Sequence, residues 1–278
     1  MKQTNHPARR RSLNAFTLIE LLVVIIIVAA LAALVVPNVG SFGRSTDMAV
    51  SAKSQADIAN NVQQFFVLQK RYPQGLDSLV DTAGAVYAAD TTNGDTQTRG
   101  LPYSGADSTR LQVQLTVNAL TNTTGAEYAR SLTRSGLDWV YDHDTTVINS
   151  NTSNTTFRGL IADANGTGNA APTTLNVAEV TGTSLLNKLV PAGLKVGQQR
   201  VVAFGFGQRN TAIGKTSTTT PLYPGADKTY YGRYVVYFMI YASGERATLL
   251  GVSDSYGRTP DFTQQQFNES LPDGARQG

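Results

Sequence analysis

The stretch RRRSLNAFTLIELLVVIIIVAALAALVVP, Arg9 to Pro37, decides how the rest of the chain is read. From Phe16 to Val36 it runs 21 residues with a single charge, Glu20. At 1.5 Å per residue such a helix spans about 30 Å, the hydrocarbon thickness of a bilayer. Arg9, Arg10 and Arg11 lie just before it, and basic residues flanking an apolar helix stay on the cytoplasmic side. The segment is expected to cross a membrane once, with its N-terminus inside and the bulk of the chain outside.

Three readings compete for it. A cleaved secretory signal has a basic start, but its apolar region is shorter and ends in a small-residue site. An uncleaved signal anchor fits both length and flanks. A buried helix of a soluble protein fits least, because β-branched residues dominate and no polar face appears. Glu20 separates these options, since a carboxylate within hydrocarbon is costly unless a counter-charge meets it. No Lys, Arg or His occurs between Arg11 and Arg44. The counter-charge is expected from another chain or from a new amino terminus, and cleavage before Phe16 creates an α-amino group four residues from the acid.

A short basic leader, FTLIE opening a long apolar helix, and Pro37 at the twenty-second residue from Phe16 resemble the signal of type IV prepilins and type II secretion pseudopilins. The resemblance implies that a prepilin peptidase cuts between Ala15 and Phe16 and N-methylates Phe16. Ala15 stands where the family usually has glycine, and both are small. It further implies that the helix stays as membrane anchor and assembly stem, with Glu20 pairing with the N-terminus of a neighbouring subunit. Expected partners are the peptidase, an inner-membrane assembly platform, other pilin-like subunits in a homo- or hetero-oligomeric filament, and the membrane itself. The expected location is the bacterial inner membrane, single-pass, with the head extracytoplasmic. After assembly the filament would lie in the periplasm or at the cell surface.

The net charge of +3 and pI near 9.1 suggest a nucleic-acid partner only at first sight. Lys2, Arg9, Arg10 and Arg11 carry four of the positive charges, which leaves −1 for residues 12 to 278. No nucleic-acid partner is expected. The absence of cysteine excludes disulfides and thiolate chemistry.

Past the apolar run, Pro37, Gly40 and Gly43 weaken a helix, so a kink or melted turn is expected at Pro37. Met48, Ala52, Gln55, Ala59, Val62 and Phe66, widened by Ala49, Ala56 and Phe65, then recur at helical spacing. They predict an amphipathic helix over about Thr46 to Lys70, ended before Pro73. KRYPQGLDSLV, Lys70 to Val80, is similar to the segment by which major secretion pseudopilins leave their long helix, with a short helical step after the proline. Arg71, Tyr72, Pro73, Leu76 and Leu79 carry that match.

Beyond Val80 the chain is read on its own. Alternation predicts a half-buried strand in RLQVQLTV, Arg110 to Val117, with shorter strands in LDWVYD and RVVAFGFG. Gly232 to Asp254 predicts a β-hairpin, and SLLNKLV, Ser184 to Val190, a short helix. The fold class follows as α+β, a long N-terminal helix packed on an antiparallel pilin-like sheet head. The expected parts are leader 1–15, membrane helix 16–36, amphipathic stem 37–71 and head 72–278. The head is larger than that of a major pseudopilin.

Catalytic signals are weak, and no enzyme activity is expected. A Ser-His-Asp triad would need His143, whose neighbours Asp142 and Asp144 read as a solvated loop. No phosphate-binding glycine motif occurs. Acid clusters could ligate calcium: Asp90, Asn93 and Asp95; Asp138, Asp142 and Asp144; Asp163 and Asn165; Asp254 and Asp261. None has EF-hand spacing, and surface turns explain them more simply. Major pseudopilins bind calcium near the C-terminus, so the resemblance points to Asp254 and Asp261; otherwise no cofactor is expected. The two functions carried forward are a filament subunit and a membrane-anchored extracytoplasmic ligand-binding module that does not polymerise.

Overall fold

A computed structural model describes residues 18–80, 86, 101, 111–120, 127–141, 157–159, 175–224 and 231–259, with backbone alone for 32–45, 119, 141, 157–159 and 175. The chain divides into two compact units, residues 1–45 and 46–277. Helix α1, Leu18–Gln69, contains the boundary between them. Its helical backbone runs unbroken through Pro37, Gly40 and Gly43, so the melted turn expected there does not form.

Within the second unit, α1 buries Ser51, Gln55, Ile58, Val62 and Phe65, spaced alternately four and three residues apart. That is one helical face, as the periodicity required. The expected stripe was rotated slightly. Gln55, Val62 and Phe65 belong to it, whereas Ala49 and Ala56 are exposed and Met48, Ala52, Ala59 and Phe66 flank it partly buried. Ile58 supplies the bulk that those alanines lack, and Ser51 is small enough to approach the sheet. The helix closes at Lys70, which adopts a left-handed φ of 57° and donates its N–H to the Phe66 carbonyl at 2.8 Å. Tyr72 then folds back onto the core, stacking on Phe66 at 4.5 Å and meeting Phe238 edge-on at 4.9 Å.

Among the described residues the unit is built on a sheet of eight strands: β1 Leu76–Ser78, β2 Leu115–Leu120, β3 Trp139–Tyr141, β4 Phe157–Gly159, β5 Leu175–Val180, β6 Gln199–Gly205, β7 Val235–Tyr241 and β8 Thr248–Ser253. β6 is the hub, pairing antiparallel with β7 along its whole length and with β5 and β1 on its other side. β2 pairs with β5, β4 with β3, and β8 with β7. The sheet is mixed, because β1 and β3 are parallel. This corrects the antiparallel expectation: a long connection carrying α2 Leu111–Gln114, β2 and α3 Tyr128–Arg134 returns the chain in the same direction.

Both faces of the sheet are covered. Val202, Phe204, Val236, Phe238 and Ile240 face a core shared with α1 and α3, while Val201, Ala203, Val235 and Tyr237 face a second core with Leu111, Leu115 and Leu185. Burial on both sides explains why β7 reads VVYFMIY with no polar alternation. Leu185 belongs to α4, Thr183–Leu189, the short helix expected from SLLNKLV.

Two segments differ from their sequence reading. Leu76–Ser78 is a strand and not a helical step, because β3 and β6 supply backbone partners on both of its edges. An isolated helical turn has no such support. The expected strand Arg110 to Val117 begins instead as the helical turn α2. The Gln114 carbonyl accepts from the amides of Thr181 and Gly182 at 2.9 and 3.0 Å, pinning that turn to the start of α4.

Candidate assembly surface

Every residue from Leu18 to Leu31 is exposed. The eleven large apolar side chains among them range from 48% exposed at Val23 to 83% at Leu18. A water-facing helix presents one apolar stripe, whereas this one is apolar all round. Burying each such side chain is worth about 1.5–3 kcal/mol, so the sleeve as a whole strongly favours lipid or protein over water. Glu20 sits in the first turn of α1 and is exposed. Among the described residues no helix is long and apolar enough to cross a membrane; the described side chains of the apolar run extend from Leu18 to Leu31.

Of the other residues singled out from sequence, Ala15 and Phe16 lie outside the described residues, as do His6, Asp90, Asn93, Asp95, Asp142, His143, Asp144, Asp163, Asn165 and Asp261. Pro37 lies on the backbone of α1. Asp138 accepts from Gln74 Nε2 at 2.7 Å, and burial raises its pKa against the opposing field of Arg71.

Asp254 is fully buried. Its Oδ1 accepts from the amides of Tyr256 and Arg258, both at 3.0 Å, and its Oδ2 from Arg258 Nε. The Arg258 guanidinium also lies over the rings of Tyr256 and Tyr223, at 5.0 and 5.8 Å from their centroids. Burial raises the Asp254 pKa and Arg258 opposes that rise. A cation at Asp254 would have to displace an arginine already held in place. Among the described residues no group of three or more His, Cys, Asp or Glu is gathered for a metal ion.

Sequence reasoning missed a second buried acid, Asp77 on β1. Tyr231 donates its hydroxyl to Asp77 Oδ2 at 2.8 Å. Burial pushes the carboxyl up to about 6, against the Tyr231 hydrogen bond and the fields of Arg233 and Arg209. The pair is walled in. A Cβ at Gly207 would strike the carboxylate, and one at Gly205 the tyrosine hydroxyl. An acid this enclosed braces β1 against the segment carrying Tyr231 and leaves no room for a substrate. The spacing Asp254 to Arg258, four residues apart, was a sequence signal for the first buried acid; none announced Asp77, whose partner is 154 residues away.

The comparisons with known proteins bear on the N-terminal part. Residues 10–36 match the family described as the prokaryotic N-terminal methylation motif. Over 76 residues, 26% of this chain, the sequence is 36% identical to type II secretion system core protein G of Aeromonas hydrophila. That match spans 53% of the relative's own length. No solved structure matches.

Proposed function

We propose that this chain, which carries a prepilin-type methylation motif, is a structural subunit of a type IV pilus-like filament or of a type II secretion pseudopilus. A prepilin peptidase cuts it before Phe16, and it polymerises through its N-terminal helix. The observation that carries this reading is the sleeve Leu18–Leu31, apolar on every face and beginning within the FTLIE signal.

Before assembly the apolar helix resides in the inner membrane and the head stands outside. During assembly, lipid contacts are exchanged for contacts with the helices of other subunits. That exchange is nearly neutral, because lipid tails are as apolar as leucine. Something else must set the register. Glu20 of one subunit meeting the methylated amino terminus of Phe16 in a neighbour does so, since a buried charge without its partner is expensive. The head is pilin-like in role, presented along the filament by the stem, and performs no catalysis.

The test is Glu20→Ala in the producing cell. Electron microscopy is expected to show at least about ten-fold fewer filaments, as for removal of one member of a buried charge pair. The thermal unfolding of the head should be unchanged. Normal filaments from that variant would overturn the mechanism.

A further inference from the structure

The second unit carries a cleft of about 480 Å³ lined by Gln55, Ala56 and Ala59 of α1, Asn187 to Leu189 of α4 with Pro191, Leu250 to Val252 of β8, and Thr259. Its volume falls within the roughly 300–1,000 Å³ of ligand clefts. α1 covers one face of the sheet and α4 the other, so the cleft lies where the edge of the sheet emerges between them. That edge is β8, which among the described residues pairs with β7 alone. The cleft is thus a slot with β8 as its floor and the two helices as its walls.

Three features of the slot specify an occupant. An edge strand offers unpaired N–H and C=O groups, which an extended polypeptide satisfies by adding a strand. Gln55 is fully buried, and while its amide nitrogen donates to Ser51 Oγ at 3.1 Å, its Oε1 has no hydrogen-bond partner among the described residues. A buried acceptor in that condition requires a donor. Lys188 is the one charged side chain among the lining residues, and burial lowers its pKa. No carboxylate among the described residues forms an ion pair with it. Lys188 is exposed at the rim of the slot, and an ammonium there favours an anion close by. The alanine wall of α1 leaves width for side chains that alternate across the added strand.

We propose that this slot binds an extended, acid-bearing peptide segment of another protein as an added strand on β8, with its carboxylate against Lys188 and a donor group against Gln55. This function belongs to the head and is independent of assembly through the apolar sleeve.

The experiment uses the full chain in detergent micelles. The probes are a fluorescein-labelled heptapeptide alternating threonine and valine with one central aspartate, and its twin with asparagine at the centre. Fluorescence polarisation is expected to show the aspartate peptide binding about five-fold more tightly, the size of effect of one partly exposed ion pair. Hydrogen exchange is expected to slow at Leu250 to Val252 when it binds. Lys188→Met should abolish the difference between the peptides, and Ala56→Trp, on an exposed position beside the core, should block both by filling the slot. Equal affinity of the two peptides, protection elsewhere on the head, or binding of neither would overturn the proposal.

Discussion

Asp77 and Arg258 show how the head holds charge in its interior. Asp77 has its pKa pushed up to about 6, so the folded protein binds a proton there that the unfolded chain, near 4, has already lost. Stability contributed by the protonated form is therefore full below about pH 4 and is lost as pH rises towards 6. A rise of that size corresponds to about 3 kcal/mol. Urea midpoints of the wild type should fall across that window, and Asp77→Asn should remove that share of the slope. Asp138 and Asp254, also raised, leave a residual slope in the same direction. Equal slopes in wild type and variant would show that Asp77 does not titrate as described.

The Asp254–Arg258 pair obeys a different rule. Both side chains are enclosed, at 0% and 5% exposure, so Arg258→Ala strands a carboxylate in the interior. A loss of about 3–5 kcal/mol in chemical denaturation is expected. Arg130 forms an equally clear pair with Glu127 at 2.8 Å, but in solvent. Arg130→Ala should cost less than about 1 kcal/mol. Similar losses in the two variants would mean that burial does not set the value of these pairs.

At the scale of elements, the sequence made some parts plain and hid others for physical reasons. The β7–β8 hairpin, α4 and the strand starting at Gln199 were legible, because each is a local apolar run bounded by turn residues. The stem helix was legible too, with its buried face displaced by the weight given to small alanines. Phe65→Ala should cost about 3–5 kcal/mol, whereas Val67→Ala, on the exposed side of the same helix, should stay within about 0.5 kcal/mol. A reversal of those two values would place the sheet on the other face of α1. The parallel pairing of β1 with β3 and the helical turn α2 could not be read locally. β1 depends on strands more than 60 residues away, and the turn at Gln114 depends on amides of Thr181 and Gly182. Asp77 was hidden for the same reason, since it finds its partner Tyr231 only in the folded chain.

At the scale of the whole molecule, the sequence was most informative where the structure is least self-sufficient. The apolar run was conspicuous because it has no polar face, and its side chains from Leu18 to Leu31 are exposed. The head was less legible because it satisfies itself, burying both faces of its sheet with elements distant in sequence. The exposed apolar stretch favours lipid or protein over water and the head buries its own core, a division that fits the proposed subunit. The slot beside β8 is the proposed place at which the head engages a further chain.

The claim on which this account rests is that the apolar helix becomes an assembly stem only after its leader is removed. Intact-mass and N-terminal fragment analysis of the protein isolated from its own cells tests this most directly. The account predicts a chain beginning at N-methylated Phe16. A chain that still carries Met1 to Ala15 in cells with an active prepilin peptidase would contradict it, and would leave the helix as a simple membrane tether.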